Sequence, residues 1–566
     1  MNSPTIKRAE ESSVLTITPG AKKIFQAIYR DQTKSNVAAD ETIAKLRVSD
    51  VISKMSFFYE KIRNAVHYQE EHLLRKDAIE RILKRQLIIE NPIKFSRPDS
   101  HDAAQHLLME LIRAGYLANN SLPETKVDEV ALIIDKYFSL RSLAASEAVE
   151  NINFFGKTNK KHKSAKGFDA TSWSVGLAAV EIEQNLAPDE VSKTVIKVMY
   201  ELLENRLELP ASLPYEADLQ IQLYLAIHRS FLKYDDDMLT LILLNYFNAG
   251  WPEAKPDLIS YVAKNFSSIR ELIAEQLNHP LSAQLLKVVA PYTVYFNILK
   301  DVINEDPTKV YDEFFDDPKA FDRRIKNNCS RRYTSAKKKL WRAAWRSIIY
   351  ILLTKSVFAV LLEIPAAKFF GSIVNPLILL VNVSFPAALL FFAVAVTALP
   401  GDDNTKKIIV GIEDIVFTEK RRQDKIILRK PISRSPVTTI IFGIFYAITF
   451  FISFGLIIWF LEKISFSWVS ITIFLFFLAF VSFFTIRVRR GAKEWIVVEQ
   501  RDTFFRFLLD FFSTPIIATG KWLSGKFSQI NIFVFILDFI IEAPFKILVD
   551  IAEEWTKYVR ERKDSI

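Results

Sequence analysis

Cysteine and glycine are scarce in this chain of 566 residues, and each scarcity excludes a class of structure. The one cysteine, Cys329, excludes an internal disulfide framework and any zinc or iron–sulfur site built from several cysteines. Fourteen glycines exclude a collagen-like chain, and a composition with 50% apolar and 13% aromatic residues excludes a disordered one. We therefore expect a folded protein, and we identify no cofactor.

Motifs for nucleotide or metal chemistry are also lacking. Gly156-Lys157-Thr158 resembles the end of a phosphate-binding loop, but Asn151 stands where that loop needs its first glycine. His67 and His72 are five residues apart, whereas two helical side chains share a metal at a spacing of four. We therefore find no reaction centre in the sequence.

The positive charge of the chain is concentrated in its second part. Residues 341–566 carry 27 Lys and Arg against 19 Asp and Glu, whereas residues 1–340 carry 47 against 46. A nucleic-acid-binding protein normally concentrates basic charge on its soluble fold. Because the first part is nearly neutral, we expect no nucleic-acid partner.

The densest basic segment covers residues 323–346, where ten basic residues occur without an acidic one. Its position before an apolar segment is typical of a topology signal. It also suits anionic lipids of the cytoplasmic leaflet, which attract basic residues by about 1 kcal/mol each close to the surface. The candidate lipid contacts are Arg331, Arg332, Lys337, Lys338, Lys339, Arg342 and Arg346.

Four apolar segments are candidate membrane spans. Residues 437–461 and 465–486 contain no charge, and each exceeds the ~20 residues that cross ~30 Å of hydrocarbon. Residues 372–399 are apolar, although their first half is interrupted by Asn375, Pro376, Asn382 and Pro386. Residues 347–364 contain Lys355 near the centre and Glu363 near the end.

The basic clusters favour four spans over three. Basic residues stay on the cytoplasmic side of a membrane. Four spans place the basic segment 323–346, the loop 400–436 and the cluster that begins at Arg487 on that side, whereas three spans would export one of them. We therefore expect cytoplasmic N- and C-termini, a cytoplasmic Cys329 and no cleaved signal peptide, because residues 1–20 lack an apolar core.

The remaining sequence has helical periodicity, so we expect an all-α protein. It would have a cytoplasmic N-terminal helical bundle or irregular helical solenoid, a four-helix transmembrane region and C-terminal amphipathic helices. The expected regions are 1–155 and 169–340, separated by a basic linker loop at 156–168, then spans in 341–399, a basic loop at 400–436, spans in 437–486 and an interfacial tail at 487–566.

Charged residues within or beside apolar segments are functional candidates by default. Lys355 and Glu363 are eight residues apart, about 12 Å along a helix, so we expect that they do not touch. In the tail, Asp538 and Glu542 begin a polar stripe at intervals of four residues. These four residues are candidates for an intramembrane function or for pairing.

The sequence favours a membrane-anchored cytoplasmic helical scaffold or interaction module with an unknown protein partner. The alternative is a component of a transporter or channel that uses the intramembrane charged residues. A membrane enzyme is a third possibility, because isolated acidic residues can catalyse without a recognisable motif.

Overall fold

A computed structural model describes most of the chain: residues 16–36, 44–48, 57, 60, 70–88, 99–154, 160–316, 318–371, 375–430, 435–498, 504–529, 551, 555, 558–559 and 562. The protein is all-α, as the sequence predicts. The described sheet consists of two parallel strands of two residues each, β1 (Leu207–Glu208) and β2 (Ile426–Ile427).

The chain forms two compact units. The unit that we call the helical unit comprises Lys23–Thr293, Gln423–Arg429 and Phe539–Ile566. The second, which we call the membrane unit, comprises Met1–Lys22, Val294–Arg422 and Lys430–Asp538. Helices α1 (Pro19–Asn36) and α11 (Ser282–Glu305) have residues in both.

Nine helices of the described residues belong to the helical unit alone. They are α2 (Glu71–Ile88), α3 (Ser100–Arg113), α4 (Thr125–Phe154), α5 (Lys160–Leu186), α6 (Glu190–Glu204), α7 (Glu216–Ile227), α8 (Asp236–Phe247), α9 (Pro256–Lys264) and α10 (Phe266–Leu277). A π-helical turn, His228–Leu232, follows α7, and a 3-10 turn, Trp251–Glu253, follows α8.

Local sequence explains why these helices form where they do. Helix α6 begins after Asp189, whose carboxylate accepts a hydrogen bond from the backbone N–H of Ser192. Its Val191, Val195 and Met199 recur every four residues, and all three are buried. An N-terminal cap and one apolar face therefore suffice to place the helix against the core.

The segment 156–168 differs from the expected linker loop. Helix α5 begins at Lys160, so residues 160–168 are helical rather than looped, whereas 155–159 lie outside the described residues. Lysine and alanine both favour helices, and the apolar second half of α5, which includes the buried Val175, Ala178 and Ile182, packs in the core. The high lysine content of residues 156–168 predicted a loop and gave no indication that residues 160–168 form the first turns of α5.

Nine further helical elements of the described residues lie in the membrane unit. They are α12 (Pro307–Asp316), α13 (Pro318–Phe358), a π-helical turn (Ala359–Glu363), α14 (Ile364–Phe369), α15 (Pro376–Ala395), α16 (Asp402–Val416), α17 (Pro436–Lys463), α18 (Trp468–Lys493) and α19 (Phe504–Gln529). Helix α16 occupies part of the segment 400–436 that the sequence analysis treats as a loop.

Four helical stretches are long and apolar enough to cross a membrane: Lys319–Phe369, Pro376–Ala395, Pro436–Lys463 and Trp468–Lys493. Each contains most or all of one of the four apolar segments that the sequence identifies. The first stretch joins α13, the π turn and α14 without a break, so the basic segment 323–346 and the first apolar segment form one helix.

The apolar helices of the membrane unit pack closely together. Helix α15 packs against α13 and α18, while α19 packs against α17 and α18. Gly520 of α19 lies against the backbone carbonyl of Ala479, where any larger residue would overlap it. The part of the tail in α19 therefore packs on the apolar bundle, and residues 530–550 lie outside the described part of the chain.

Candidate functional site

The two most deeply buried charged side chains among the described residues of the membrane unit lie near the end of its first apolar helical stretch. Lys355 is 0% exposed on α13, and Glu363 is 2% exposed at the end of the π turn. Asn382 of α15, also 0% exposed, faces them. We call these three residues the polar triad.

The expectation that Lys355 and Glu363 do not touch is wrong. Their Nζ and Oε2 atoms are 3.9 Å apart. The wider turn Ala359–Glu363 interrupts the regular α-helical rise. Helical side chains also lean toward the N-terminus of their helix, so Glu363 is directed back toward the long side chain of Lys355.

The contacts within the polar triad are incomplete. Asn382 Nδ2 donates a hydrogen bond of 2.5 Å to Glu363 Oε1. Lys355 Nζ lies 4.3 Å from the ring centroid of Phe477 on α18, a cation–π arrangement. Three buried atoms nevertheless have no hydrogen-bond partner: Lys355 Nζ, Glu363 Oε2 and Asn382 Oδ1.

Buried charged and polar atoms without hydrogen-bond partners are energetically unfavourable. Desolvation costs several kcal/mol per buried ion, and an ion pair recovers that cost only with good geometry and further hydrogen bonds. A separation of 3.9 Å without a hydrogen bond does not meet that condition. The triad is therefore a weakly compensated site.

A small cleft leads to Glu363. It contains a cavity of about 20 Å³, enough for one or two water molecules. Its polar lining includes Asn375, Ser465, Ser467 and Ser470. Asn375 caps the N-terminus of α15 and Ser467 that of α18, each by accepting a backbone N–H. Glu363 therefore lies where polar groups and two helix N-termini meet.

The basic segment before the first apolar stretch divides into two groups. Arg331 pairs with Glu305, and Arg332 pairs with Asp301 and lies over the ring of Trp495. These two arginines therefore have partners inside the membrane unit. The other five candidate lipid contacts are exposed and have no ion pair among the described residues: Lys337, Lys338, Lys339, Arg342 and Arg346.

A second feature lies at the surface of the helical unit, where Tyr224, Tyr246 and Phe247 are exposed and Tyr200 is half-buried. Tyr200, Tyr224, Tyr246 and Phe247 form what we call the aromatic patch. The rings of Tyr200 and Tyr224 are 6.1 Å apart, and those of Tyr246 and Phe247 are 5.4 Å apart. Burial, together with Glu204, raises the pKa of Tyr200 to about 12, and Tyr246 is close enough to add to that effect. Tyr246 is itself 56% exposed.

The remaining candidates from the sequence, Asp538 and Glu542, lie outside the described residues. No group of three or more metal-binding side chains occurs in the part of the chain that is described. A scan against models of protein families found no match, and searches of curated proteins and of solved structures found no significant match.

Sequence reasoning missed two members of this site. Asn382 was noted only as an interruption of an apolar segment, and Phe477 is one of many aromatic residues in α18. A lone amide within a spanning segment is a usable signal, because it needs a hydrogen-bond partner in an apolar surrounding. No comparable signal distinguishes Phe477.

Proposed function

We propose that this protein is an integral membrane protein that anchors a cytoplasmic helical interaction module. The aromatic patch is the observation that carries the proposal. Tyrosine is enriched among residues that dominate binding energy at protein interfaces, because it supplies a large contact area and a polar tip. Four helices with the length and composition of spans supply the anchor.

Helix α13 supports contact with anionic lipids of the cytoplasmic leaflet. Lys338, Arg342 and Arg346 follow one another at intervals of four residues and therefore share a face. The exposed Trp345 lies next to Arg346 and the exposed Tyr350 lies one turn further along the helix, and such aromatic residues are enriched at membrane interfaces. A helix that passes from cations through this aromatic region to apolar residues matches the order from headgroups to hydrocarbon.

The interaction module is tested by purifying the full chain in mild detergent and identifying the proteins that accompany it. The variant Tyr246→Ala should lose a partner that the wild type retains. Leu132→Ala is the control, because Leu132 is an exposed apolar residue on α4, outside the aromatic patch. A partner retained equally by both variants, at equal thermal stability, would count against the aromatic patch.

The lipid contact is tested with the full chain in neutral detergent, titrated with phosphatidylglycerol. Replacing Lys338, Arg342 and Arg346 by glutamine should weaken binding about 100-fold, from about 1 kcal/mol for each charge. Binding should also fall with added salt. Lys406→Gln removes an exposed charge from α16 and should change little. Unchanged affinity of the triple variant would exclude this face.

The orientation needs engineered cysteines, because the native Cys329 is buried and suits labelling poorly. Lys338→Cys replaces an exposed residue of α13 in front of its apolar segment, and Glu462→Cys replaces an exposed residue in the last turn of α17. A membrane-impermeant thiol reagent should label the second variant in intact cells and the first only after lysis. The opposite pattern would reverse the topology.

A second candidate function is a transporter or channel component, and the polar triad specifically favours it. Ionisable groups inside a membrane commonly mark ion or solute pathways. The test is flux through liposomes that contain the purified protein, with Lys355→Met as the variant. Flux that this substitution abolishes, at unchanged thermal stability, would support the candidate. Lack of flux in wild-type liposomes would count against it.

A further inference from the structure

We propose that Glu363 binds a proton that it shares with Asn382, in a site that exchanges protons with water through the cleft. The proton is then the ligand of the polar triad. The proposal rests on the membrane placement of the four apolar helices. It is independent of the interaction module and of any flux.

The unpartnered oxygen atoms point to the proton. Asn382 and Glu363 already share one hydrogen bond, from Nδ2 to Oε1, and it leaves two buried oxygen atoms without a partner, Glu363 Oε2 and Asn382 Oδ1. Oxygen atoms of an ionised carboxylate and of an amide are both acceptors, so they cannot bond to each other. One proton on Glu363 Oε2 supplies the missing donor, and a carboxylic acid then pairs with the amide through two hydrogen bonds.

Lys355 defines the other state of the site. Its ammonium lies 3.9 Å from Glu363 Oε2, which attracts the charged carboxylate without a hydrogen bond. Besides Glu363, the described residues place no charged group within ion-pair distance of Lys355, and α15 and α18 contribute Asn382 and Phe477. The ionised Glu363 is therefore stabilised by Lys355, and the protonated Glu363 by Asn382.

Protons reach the site through the cleft. Glu363 is one of the residues that line the cleft, together with Ser467 and Ser470. A hydronium ion there transfers one proton to Glu363 Oε2 and leaves as water, so atoms and charge balance. The net charge of the triad rises by one when this proton binds.

Infrared difference spectroscopy of the full chain between two pH values tests the proposal. The wild type should show the C=O band of a protonated, hydrogen-bonded carboxylic acid. Glu363→Gln, which is nearly isosteric, should lose this band. Glu462→Gln is the control, because Glu462 is exposed in the last turn of α17, and it should keep the band. A band that survives in Glu363→Gln would overturn the proposal.

Two further variants test the amide and the access path. Asn382→Leu should move the band to higher frequency, because the acid loses its partner; Asn382→Thr serves if the leucine variant does not fold. An unchanged band in a folded variant would refute the pairing.

The access path is tested separately. Ser470→Cys, modified by a small thiol reagent, should slow hydrogen–deuterium exchange of the acid. Exchange at the wild-type rate would refute access through the cleft.

Discussion

Two buried lysines show how differently the helical unit and the membrane unit treat a charge. In the helical unit, Lys136 is 7% exposed and its Nζ donates to Glu181 at 2.5 Å and to the carbonyls of Trp251 and Pro252 at 3.2 and 3.1 Å. In the membrane unit, Lys355 Nζ donates to no atom, and its counter-ion is 3.9 Å away. Both ammonium groups also lie over aromatic rings.

The difference indicates two roles for a buried charge. The network around Lys136 extends further, because Tyr137 donates to Glu181 and Trp251 donates to Tyr137. A fully satisfied network of this kind makes a core rigid and unique. The polar triad has buried polar atoms without hydrogen-bond partners, so a change in its protonation would break no such network. We expect stability to depend strongly on Lys136 and weakly on the pair Lys355 and Glu363.

The largest effect should come from Lys136→Met. The substitution leaves Glu181, whose side chain is only 14% exposed, without its counter-ion and should lower the free energy of unfolding by about 3–5 kcal/mol. Thermal unfolding of the full chain in detergent measures it. Lys193→Met is the control, because Lys193 forms an exposed pair with Glu190, and such pairs contribute about 0–1 kcal/mol. Equal effects of the two variants would contradict the assigned role.

The next largest effect is the dependence of folding stability on pH that His228 causes. Burial lowers the pKa of His228 from 6.5 to about 4. The backbone carbonyl of Tyr224 accepts a hydrogen bond from His228 Nδ1–H, which raises the pKa and so opposes part of this shift. The unfolded chain therefore binds a proton that the folded chain rejects, so stability is complete above pH 6.5 and falls as the pH drops toward 4. The loss should approach about 3 kcal/mol, at 1.36 kcal/mol per pH unit.

The variant His228→Phe isolates this effect, since burial also lowers the pKa of His72 and His279. It should reduce the slope of stability against pH between 6.5 and 5, where few carboxylates titrate. His101→Phe, at an exposed histidine of α3, is the control for the substitution itself. A slope that is the same in both variants would show that His228 does not titrate with unfolding.

A packing effect in the membrane unit should be smaller. Gly520→Ala places a methyl group against the carbonyl of Ala479 and should destabilise the protein by about 1–3 kcal/mol. Gly525, on the same helix, has open space around its Cα, so Gly525→Ala should stabilise by up to about 1 kcal/mol through helix propensity. Thermal stability in detergent compares the two. Shifts of the same sign would contradict the close approach of α19 and α18.

The smallest loss should follow from removing the weak pair altogether. Lys355→Met alone leaves Glu363 without its cation, whereas Lys355→Met with Glu363→Gln keeps an acceptor for Asn382 and removes both charges. Replacing a buried pair by neutral residues is often neutral or stabilising. We expect the double variant to unfold at or above the wild-type temperature. A large loss in the double variant would mean that the pair is structural, as Lys136 is.

Part of the fold was predictable because it depends on local composition. A run of about 20 apolar residues has one stable conformation in hydrocarbon, so the four apolar helices could be read from residue types alone. Helix α16 was not predicted, because the basic residues of segment 400–436 indicated a loop. Its Ile408, Ile412 and Ile415 lie on one buried face, a signal that the surrounding basic residues obscured.

The sequence alone determined the helical class, the candidate spans and the residues on which function could depend. Only the tertiary structure decided which of those residues meet. The expectation for Lys355 and Glu363 assumed a regular helix, and the π turn with two converging side chains changed it. Asn382 joined them because α15 packs against α13, and such packing depends on the whole interface rather than on any short pattern. Composition specifies which segments form helices, whereas contacts between distant residues decide what those helices can bind.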